Sequence, residues 1–441
     1  MRSEENIGQR GAGDVRVAAA REVRDGGQRG AQLEEGQRQA GASRPGGRQN
    51  RVPSWLSAIV EQGTAMPALI SLVVIAVFFE IESHYFLTGS NLSNLVVQTT
   101  TLVPVALGEV GVLLLAEIDL SLGSIVGATS AILGVMVSEV GVPWWLGMII
   151  ALACGAAMGA FQGAWIAFIR IPSFVVTIGG WLGFLGLQLF ILGPQGTLSI
   201  FNPQVAALTG SYVPGGAGWV VGGALAVAVV ARALLRLRAA GGRRRLGSLT
   251  LPALAAALMV GVVAVLNSYK GVPTAFVVVM GLLFAGWLIL QHTRPGRNVF
   301  AIGGNPEPAR RAGIGVRRIR FTAFVIAGTL GAVGGLMAAS YNSSAGTLTG
   351  GGTLLLEAIG AAVIGGTSLF GGQGTVWAAL SGALIMSAIS NGLDLMNASS
   401  PVKYMVQGAV VLLAVTVDTL LRRRAGRSRR LGGITMSVGA P

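Results

Sequence analysis

The chain has 441 residues, of which 52% are hydrophobic and only 11% charged, with a mean hydropathy of +0.67 and a formal net charge of +14. Soluble domains carry about 25% charged residues, so a water-soluble fold is excluded: this much apolar surface would have nowhere to hide. The apolar runs are long and unbroken, unlike the short alternating segments of a transmembrane barrel, which leaves an all-α, polytopic helical membrane protein.

In chain order, residues 1–53 come first, polar and rich in Gly, Gln and Arg, with ten Arg against seven acids. They hold too few apolar side chains to offset their ordering entropy. No apolar stretch follows a short basic start, so this is not a secretory signal. It reads as a disordered cytoplasmic N-terminal tail, drawn at 1–55. A transmembrane domain follows at 56–423, with twelve apolar spans: 62–81, 92–116, 120–138, 144–168, 173–192, 217–234, 249–267, 273–291, 321–340, 353–369, 376–389 and 403–421. The span at 376–389 is short, so the count ranges from 10 to 12. Residues 424–441 read as a cytoplasmic C-terminal tail.

Arginine placement tests this order. With the N-terminus in the cytoplasm and the spans alternating, all thirty Arg fall inside: the tail, Arg170, the cluster 232–245, the seven from Arg294 to Arg320, and the six from Arg422 to Arg430. This is the positive-inside rule without exception. It also removes the nucleic-acid reading of the net charge.

The cytoplasmic loop 292–320 carries the strongest local signals. Asn305 can cap a short helix, with Pro306 at its first position, where a missing N–H costs nothing. Glu307 suits the positive end of the dipole and Pro308 still lies in the first turn. Arg310 and Arg311 sit towards the C-terminal end, and Gly313 is a left-handed stop. Two readings remain: a helix presented to a partner, or an ordered turn between spans.

Four acids lie in or beside the spans: Glu109, Glu117, Asp119 and Glu357. Charge in a membrane is expensive, so each is a functional candidate. Glu117 and Asp119 stand at the join of the second and third spans, in A-E-I-D-L-S-L-G-S. Ser121 and Ser124 are expected to satisfy exposed amides of the third span, with Asp119 near its N-terminus. The alternative is a gate or partner contact. Gln98, Gln162, Gln188, Asn342 and Asn391 could line a polar path or bridge helices, and no substrate-binding residue is assigned. The single Cys154 lies in an apolar run, His84 and His292 stand far apart, and no metal-ligand spacing appears. No phosphate-cradling G-x-x-x-x-G-K-[ST] is present; the Gly-rich stretch 365–374 reads as a turn. No catalytic constellation stands out, so the chain does not read as an enzyme by itself, and energy must come from a gradient or another subunit.

Several stretches resemble one family. A-E-I-D-L-S-L-G-S (116–124), I-P-S-F-V-V-T-I-G-G (171–180), Y-K-G-V-P-T (269–274), A-I-G-G-N-P-E-P-A-R-R-A-G-I (301–314), A-V-I-G-G-T-S-L-F-G-G (362–372) and N-G-L-D-L (391–395) resemble the membrane permeases of sugar-importing ABC transporters, the ribose/xylose type. The basic-linked helix pair around 232–245 is more similar to the xylose branch. The resemblance covers about residues 60–423 in the right order.

That resemblance implies a multi-pass permease of the bacterial plasma (inner) membrane. It implies a homodimer of permeases in lipid, ABC ATPase subunits docked below, and an extracellular binding protein delivering the sugar. ATP and magnesium belong to the ATPase, so this chain needs no cofactor or metal. The family's coupling segment matches Gly303, Gly304, Asn305, Glu307, Ala309, Arg310, Gly313 and Ile314. Pro308 replaces the usual Ala, Glu109 stands where an apolar residue is usual, and an acid is usual at Glu357. Import of xylose or a similar pentose is the expectation. Three alternatives are a carrier coupled to protons through Glu109, Glu117, Asp119 or Glu357, an ABC permease for a nucleoside or other sugar derivative, and a membrane scaffold that transports nothing.

Overall fold

A computed structural model describes residues 65–239 and 250–434. The tail at 1–55 and the end of the Arg cluster, 243–245, lie outside the described residues. The helices are α1 (Ala65–Glu82), α2 (Gly89–Leu113), α3 (Leu122–Gly134), α4 (Trp144–Ala164), α5 (Ser173–Leu192), α6 (Pro203–Gly210), α7 (Gly215–Ala239) and α8 (Thr250–Asn267). They continue with α9 (Thr274–His292), α10 (Arg294–Gly304), α11 (Pro306–Arg311), α12 (Val316–Asn342), α13 (Gly352–Ile364), α14 (Trp377–Leu395) and α15 (Ser400–Ile434). α3 and α4 each run on into a five-residue π turn, Val135–Glu139 and Trp165–Ile169.

Twelve of these helices stand on the twelve predicted spans. With the π turns included, α2, α3, α4, α5, α7, α9, α12 and α14 are the 8 described helices long and apolar enough to cross a membrane by themselves. The boundaries differ in instructive places. α14 is longer than the span predicted at 376–389. α15 is continuous through Ile434 and takes in most of the residues expected as a C-terminal tail.

The span predicted at 353–369 is only the 13-residue α13. At 1.5 Å per residue it reaches about 20 Å, short of a hydrocarbon core of about 30 Å. The backbone before it makes up the difference by entering the bundle. A Cβ on Gly350 would lie 2.6 Å from the Gly127 nitrogen, so this segment sits directly on α3. Irregular backbone inside a membrane bundle needs internal hydrogen-bond partners. Gln188 of α5, 1% exposed, supplies them: its Nε2 donates to the carbonyls of Gly346 at 2.8 Å and Thr349 at 3.0 Å.

α2 is the hub. Nearly every residue from Leu95 to Leu113 is buried, and it packs against α12, α13, α14 and α9. α4, α5 and α9 instead leave apolar side chains such as Phe161, Phe190 and Phe284 uncovered, the chemistry of a lipid-facing surface. α4 and α12 meet almost backbone to backbone. A Cβ on Gly328 would stand 2.9 Å from the Gly159 Cα, and one on Gly159 would overlap the Phe324 carbonyl oxygen. Small residues spaced by one turn permit this approach.

Short strands show which loops share an end. β1 (Thr197–Ser199) pairs with β4 (Ser344–Gly346), and β2 (Tyr212–Val213) pairs with β3 (Val272–Pro273), both antiparallel. At the opposite end, Gly372 N donates to Leu114 O at 3.0 Å. That end also carries Arg170, Arg294, Arg297, Arg310, Arg311, Arg317, Arg318 and Arg320, which makes it the cytoplasmic face.

Gly159→Leu forces side-chain atoms into the α4–α12 contact, and overpacking typically costs about 1–3 kcal/mol. A lowered thermal midpoint of the purified protein in detergent is expected. Gly179→Ala, which meets nothing within 4 Å, leaves the midpoint unchanged.

Candidate functional site

The loop 292–320 is a helix, a cap and a second helix. Thr293 caps α10 by accepting from Gly296 N at 3.4 Å, with Pro295 in the first turn. The predicted cap at Asn305 is formed: its Oδ1 accepts from Glu307 N at 3.1 Å. α11 then runs for 6 residues, Pro306–Arg311. Gly313 lies at φ +80, the left-handed stop. Gly313 N donates to Arg310 O at 3.0 Å and Ile314 N to Ala309 O at 3.1 Å, closing the last turn. Arg310 and Arg311 lie 3.9 and 3.5 Å from the Glu307 carboxylate. All three are exposed, so these pairs add little stability.

α10 was not read from the sequence. Its apolar side chains are few, but Val299 and Ile302 share one face, three residues apart. Ile302 and Ala309 join Leu115 in a small apolar cluster, backed by Ile314, Val316 and Ile319. α11 therefore stands on the protein through Ala309 while Glu307, Arg310 and Arg311 face outward.

Gly303 locks this platform to the membrane domain. A Cβ there would lie 2.5 Å from Gly372 N and overlap Leu114 O. Gly371 and Gly372, at φ +80 and +69, turn the chain back beneath it. The Gly-rich stretch read as a turn is thus one wall of a three-backbone joint, with Gly303–Gly304 and Leu114–Ala116 as the others. A Cβ on Gly304, by contrast, would point away from the joint and meet nothing within 4 Å.

Directly beyond Ala116 lies the break between α2 and α3. Glu117 Oε1 meets Arg320 Nε of α12 at 3.0 Å, with both side chains largely covered. Asp119 is fully buried and lies outside both helices. Its Oδ1 accepts from Ser121 N at 2.9 Å and from Ser121 Oγ at 2.6 Å. Burial pushes its carboxyl up to about 6, while the Ser121 hydroxyl and amide pull the other way. Gln162 Nε2 of α4 donates to Ser121 Oγ at 2.6 Å. The capping expected of Ser121 and Ser124 is corrected here. The Ser121 side chain makes no cap bond, and Ser124 Oγ donates to Trp181 O at 2.9 Å. Asp119, the residue able only to accept, holds the amide instead.

Of the two remaining acids, Glu357 lies elsewhere in the bundle and Glu109 lies within electrostatic reach of Asp119. Glu357 of α13 accepts from Gln407 Nε2 at 2.7 Å, and the same nitrogen reaches Ser390 Oγ at 2.8 Å, tying α13, α14 and α15 together. Glu109 of α2 is 0% exposed, and neither carboxyl oxygen has a protein partner among the described residues. Asn391 accepts from Asn91 Nδ2 at 2.8 Å. Gln162, Gln188 and Asn391 therefore bridge parts of the bundle, whereas Gln98 is part-exposed. Among the described residues no group of three or more His, Cys, Asp or Glu could hold a metal ion.

Comparison with known proteins places this bundle among the permease components of transport systems. Residues 91–415 match the family model described as branched-chain amino acid transport system / permease component. The chain is 36% identical over 361 residues to the xylose transport system permease protein XylH of Escherichia coli K12, covering 80% of this chain and 91% of that protein. It is 33% identical over 365 residues to XylH of Haemophilus influenzae, covering 81% and 96%. It is 32% identical over 352 residues to the ribose import permease protein RbsC of E. coli K12, covering 80% and 92%. No solved structure matches. The chain belongs to this permease family, and it is a multi-pass membrane protein.

Gly303→Ala and Gly304→Ala separate joint from surface. Gly303→Ala is expected to displace α10 from Leu114 and to expose 293–315 to limited proteolysis in membranes. Gly304→Ala leaves the cleavage pattern as in wild type.

Proposed function

We propose that the protein is the membrane-spanning subunit of an ATP-driven importer in the bacterial inner membrane. Its cargo is a monosaccharide, xylose or a similar pentose. Two copies form the pathway, an extracellular binding protein delivers the sugar, and a separate ABC ATPase with its ATP and magnesium docks on α11. The chain itself does no chemistry and needs no cofactor.

The observation that carries this reading is the construction of α11. A capped helix with an outward face of Glu307, Arg310 and Arg311 is seated by Ala309. It is also fastened through Gly303 to the α2–α3 break. A push on α11 from below passes to α2, α3 and, through Glu117 and Arg320, to α12. The xylose and ribose permeases among its relatives support the choice of cargo.

Two experiments test this reading. An ATPase subunit is expected to co-purify from native membranes with wild type and to be lost from a variant with Asn305, Glu307 and Arg310 all changed to Ala. Retention by that variant would move the docking site off α11. Gly313→Val forces a β-branched residue to φ +80, where such residues are genuine outliers. ATP hydrolysis in the reconstituted complex should then persist while pentose uptake falls by about tenfold or more, a loss of roughly 1.4 kcal/mol of coupling.

A proton-coupled carrier is the competing reading, and Glu109 is the group it would need. A buried carboxyl without a hydrogen bond carries a desolvation cost that an apolar side chain of similar size does not. Glu109→Leu should therefore keep uptake and hold or raise the thermal midpoint. Loss of uptake in a stable Glu109→Leu protein, together with arrest of wild-type uptake when the proton gradient alone is collapsed, would favour the carrier.

A further inference from the structure

The end of the bundle opposite the coupling platform holds a second constructed site. Four parts of the fold converge there: the N-terminal half of α2, the end of α6, the end of α12, and the β2–β3 pair with the loop before β3. They enclose a cleft of about 430 Å³. Pockets for small molecules run from about 300 to 1,000 Å³.

The chemistry of its wall is specific. Tyr341 Oη of α12 donates to Asn94 Oδ1 of α2 at 3.0 Å and accepts from Gln98 Nε2 at 3.2 Å. Gln98 stands one turn below Asn94 and supports the chain from outside the wall. Asn94 is exposed, and its own N–H2 group donates to no protein acceptor among the described residues. Deeper in, Thr209 and Ser340 are both buried and bond each other, oxygen to oxygen at 2.8 Å, so the floor is closed and already satisfied. The rings of Tyr212 and Tyr269 form the rim, with Lys270 Nζ 5.6 and 5.2 Å from their centroids. No charged side chain lines the cleft among the described residues.

This wall selects a class of ligand. A cation would meet the Lys270 ammonium at the rim and no carboxylate within, and an anion would find that ammonium only at the rim and no counter-charge on the wall itself, so either carries a desolvation cost. A purely apolar molecule would strand the Asn94 donors and the tyrosine hydroxyls. A neutral polyol fits both halves: its hydroxyls give and take hydrogen bonds, and its C–H faces pack on tyrosine rings.

We propose that this outer cleft is a binding site for a neutral monosaccharide, which Asn94 and Tyr341 contact directly and Gln98 positions. The proposal rests on the sugar-importer reading above. It adds a contact site on the permease itself, at the mouth by which cargo would enter. Arg320 and Tyr341 lie towards opposite ends of α12, so the cleft sits at the far end of the helix that bears on the coupling platform.

The test uses the full importer in its own membranes. Cys154 is the single cysteine, so Ser90→Cys in a Cys154→Ala background places one reporter thiol on the cleft wall without touching the Asn94–Tyr341–Gln98 chain. A membrane-impermeant maleimide added from outside is expected to label it. Saturating xylose or ribose should slow that labelling by about threefold or more through occupancy of the site. Gln98→Leu and Tyr341→Phe should lose this protection and raise KM for pentose uptake by about tenfold, the loss of one hydrogen bond to the sugar. The preference for ribose over deoxyribose should also narrow, which a merely structural defect does not produce. Pentose uptake with unprotected labelling would overturn the cleft and leave the importer reading standing. If the wild-type complex imports no neutral sugar, the importer reading falls and the cleft proposal falls with it.

Discussion

Three backbones cross at the cytoplasmic end with no side chain between them. Gly303 lies in the last turn of α10, Leu114 follows the end of α2, and Gly372 turns the chain between α13 and α14; the Gly372 amide bonds the Leu114 carbonyl at 3.0 Å. A Cβ on Gly303 has no room, and Gly371 and Gly372 need the left-handed region that glycine enters without strain. A contact made of backbone differs from one made of flexible side chains. It has few alternative packings, so it transmits displacement instead of absorbing it. The position of α11 relative to the bundle depends on this joint.

The polar groups nearby become intelligible once the joint is in place. Ending α2 at Leu113 inside a membrane protein exposes carbonyls, and starting α3 at Leu122 exposes amides. The eight residues between must satisfy them and still follow the fold. Asp119 takes the Ser121 amide, Ser121 links Asp119 to Gln162, and Glu117 is neutralised by Arg320. A buried charge is tolerated when paired and hydrogen-bonded. By that standard Glu117 is paired with Arg320 and Glu357 is hydrogen-bonded to Gln407, while Asp119 is held on Oδ1 and has no partner for Oδ2 among the described residues. Neither carboxyl oxygen of Glu109 has a hydrogen-bond partner among the described residues, so it is the acid that the packing accounts for least.

Much of the architecture was legible because it rests on signals of long range along the chain. Apolar length marks spans, and arginine marks the inner loops, so twelve segments and their sidedness follow from the sequence. The Asn305 cap and Gly313 stop were legible because both act within a few residues. What escaped depends on encounters between distant positions. Arg320 pairs with Glu117 across 203 residues in sequence, and no local pattern announces it. Gln188 supports the backbone at 346 and 349, and without that partner the short α13 looks like the core of an ordinary span. α10 was missed for a different reason: its apolar residues fall on one side of the helix, but they are crowded into Val299–Ile302 within a short, otherwise polar and glycine-containing segment. A bonded pair such as Asn94 and Tyr341, on different helices, is likewise invisible until the helices pack.

The two sites lie at opposite ends of the same helices. α2 carries Asn94 and Gln98 at the outer cleft and reaches Leu113 beside the joint. α12 carries Arg320 at the platform and Tyr341 at the cleft, about 30 Å away at 1.5 Å per residue. α12 packs closely on α2, α3 and α4 through Gly108, Gly331, Gly155 and Gly159, so sliding one helix along another meets few bulky knobs. A tilt or shift of α12 at the platform end would therefore reach the end where Tyr341 bonds Asn94. Coupling needs an element with two arrangements that both ends bias. The Tyr341–Asn94–Gln98 chain joins α12 to α2 at the end far from the joint, which is where such an element would have to act.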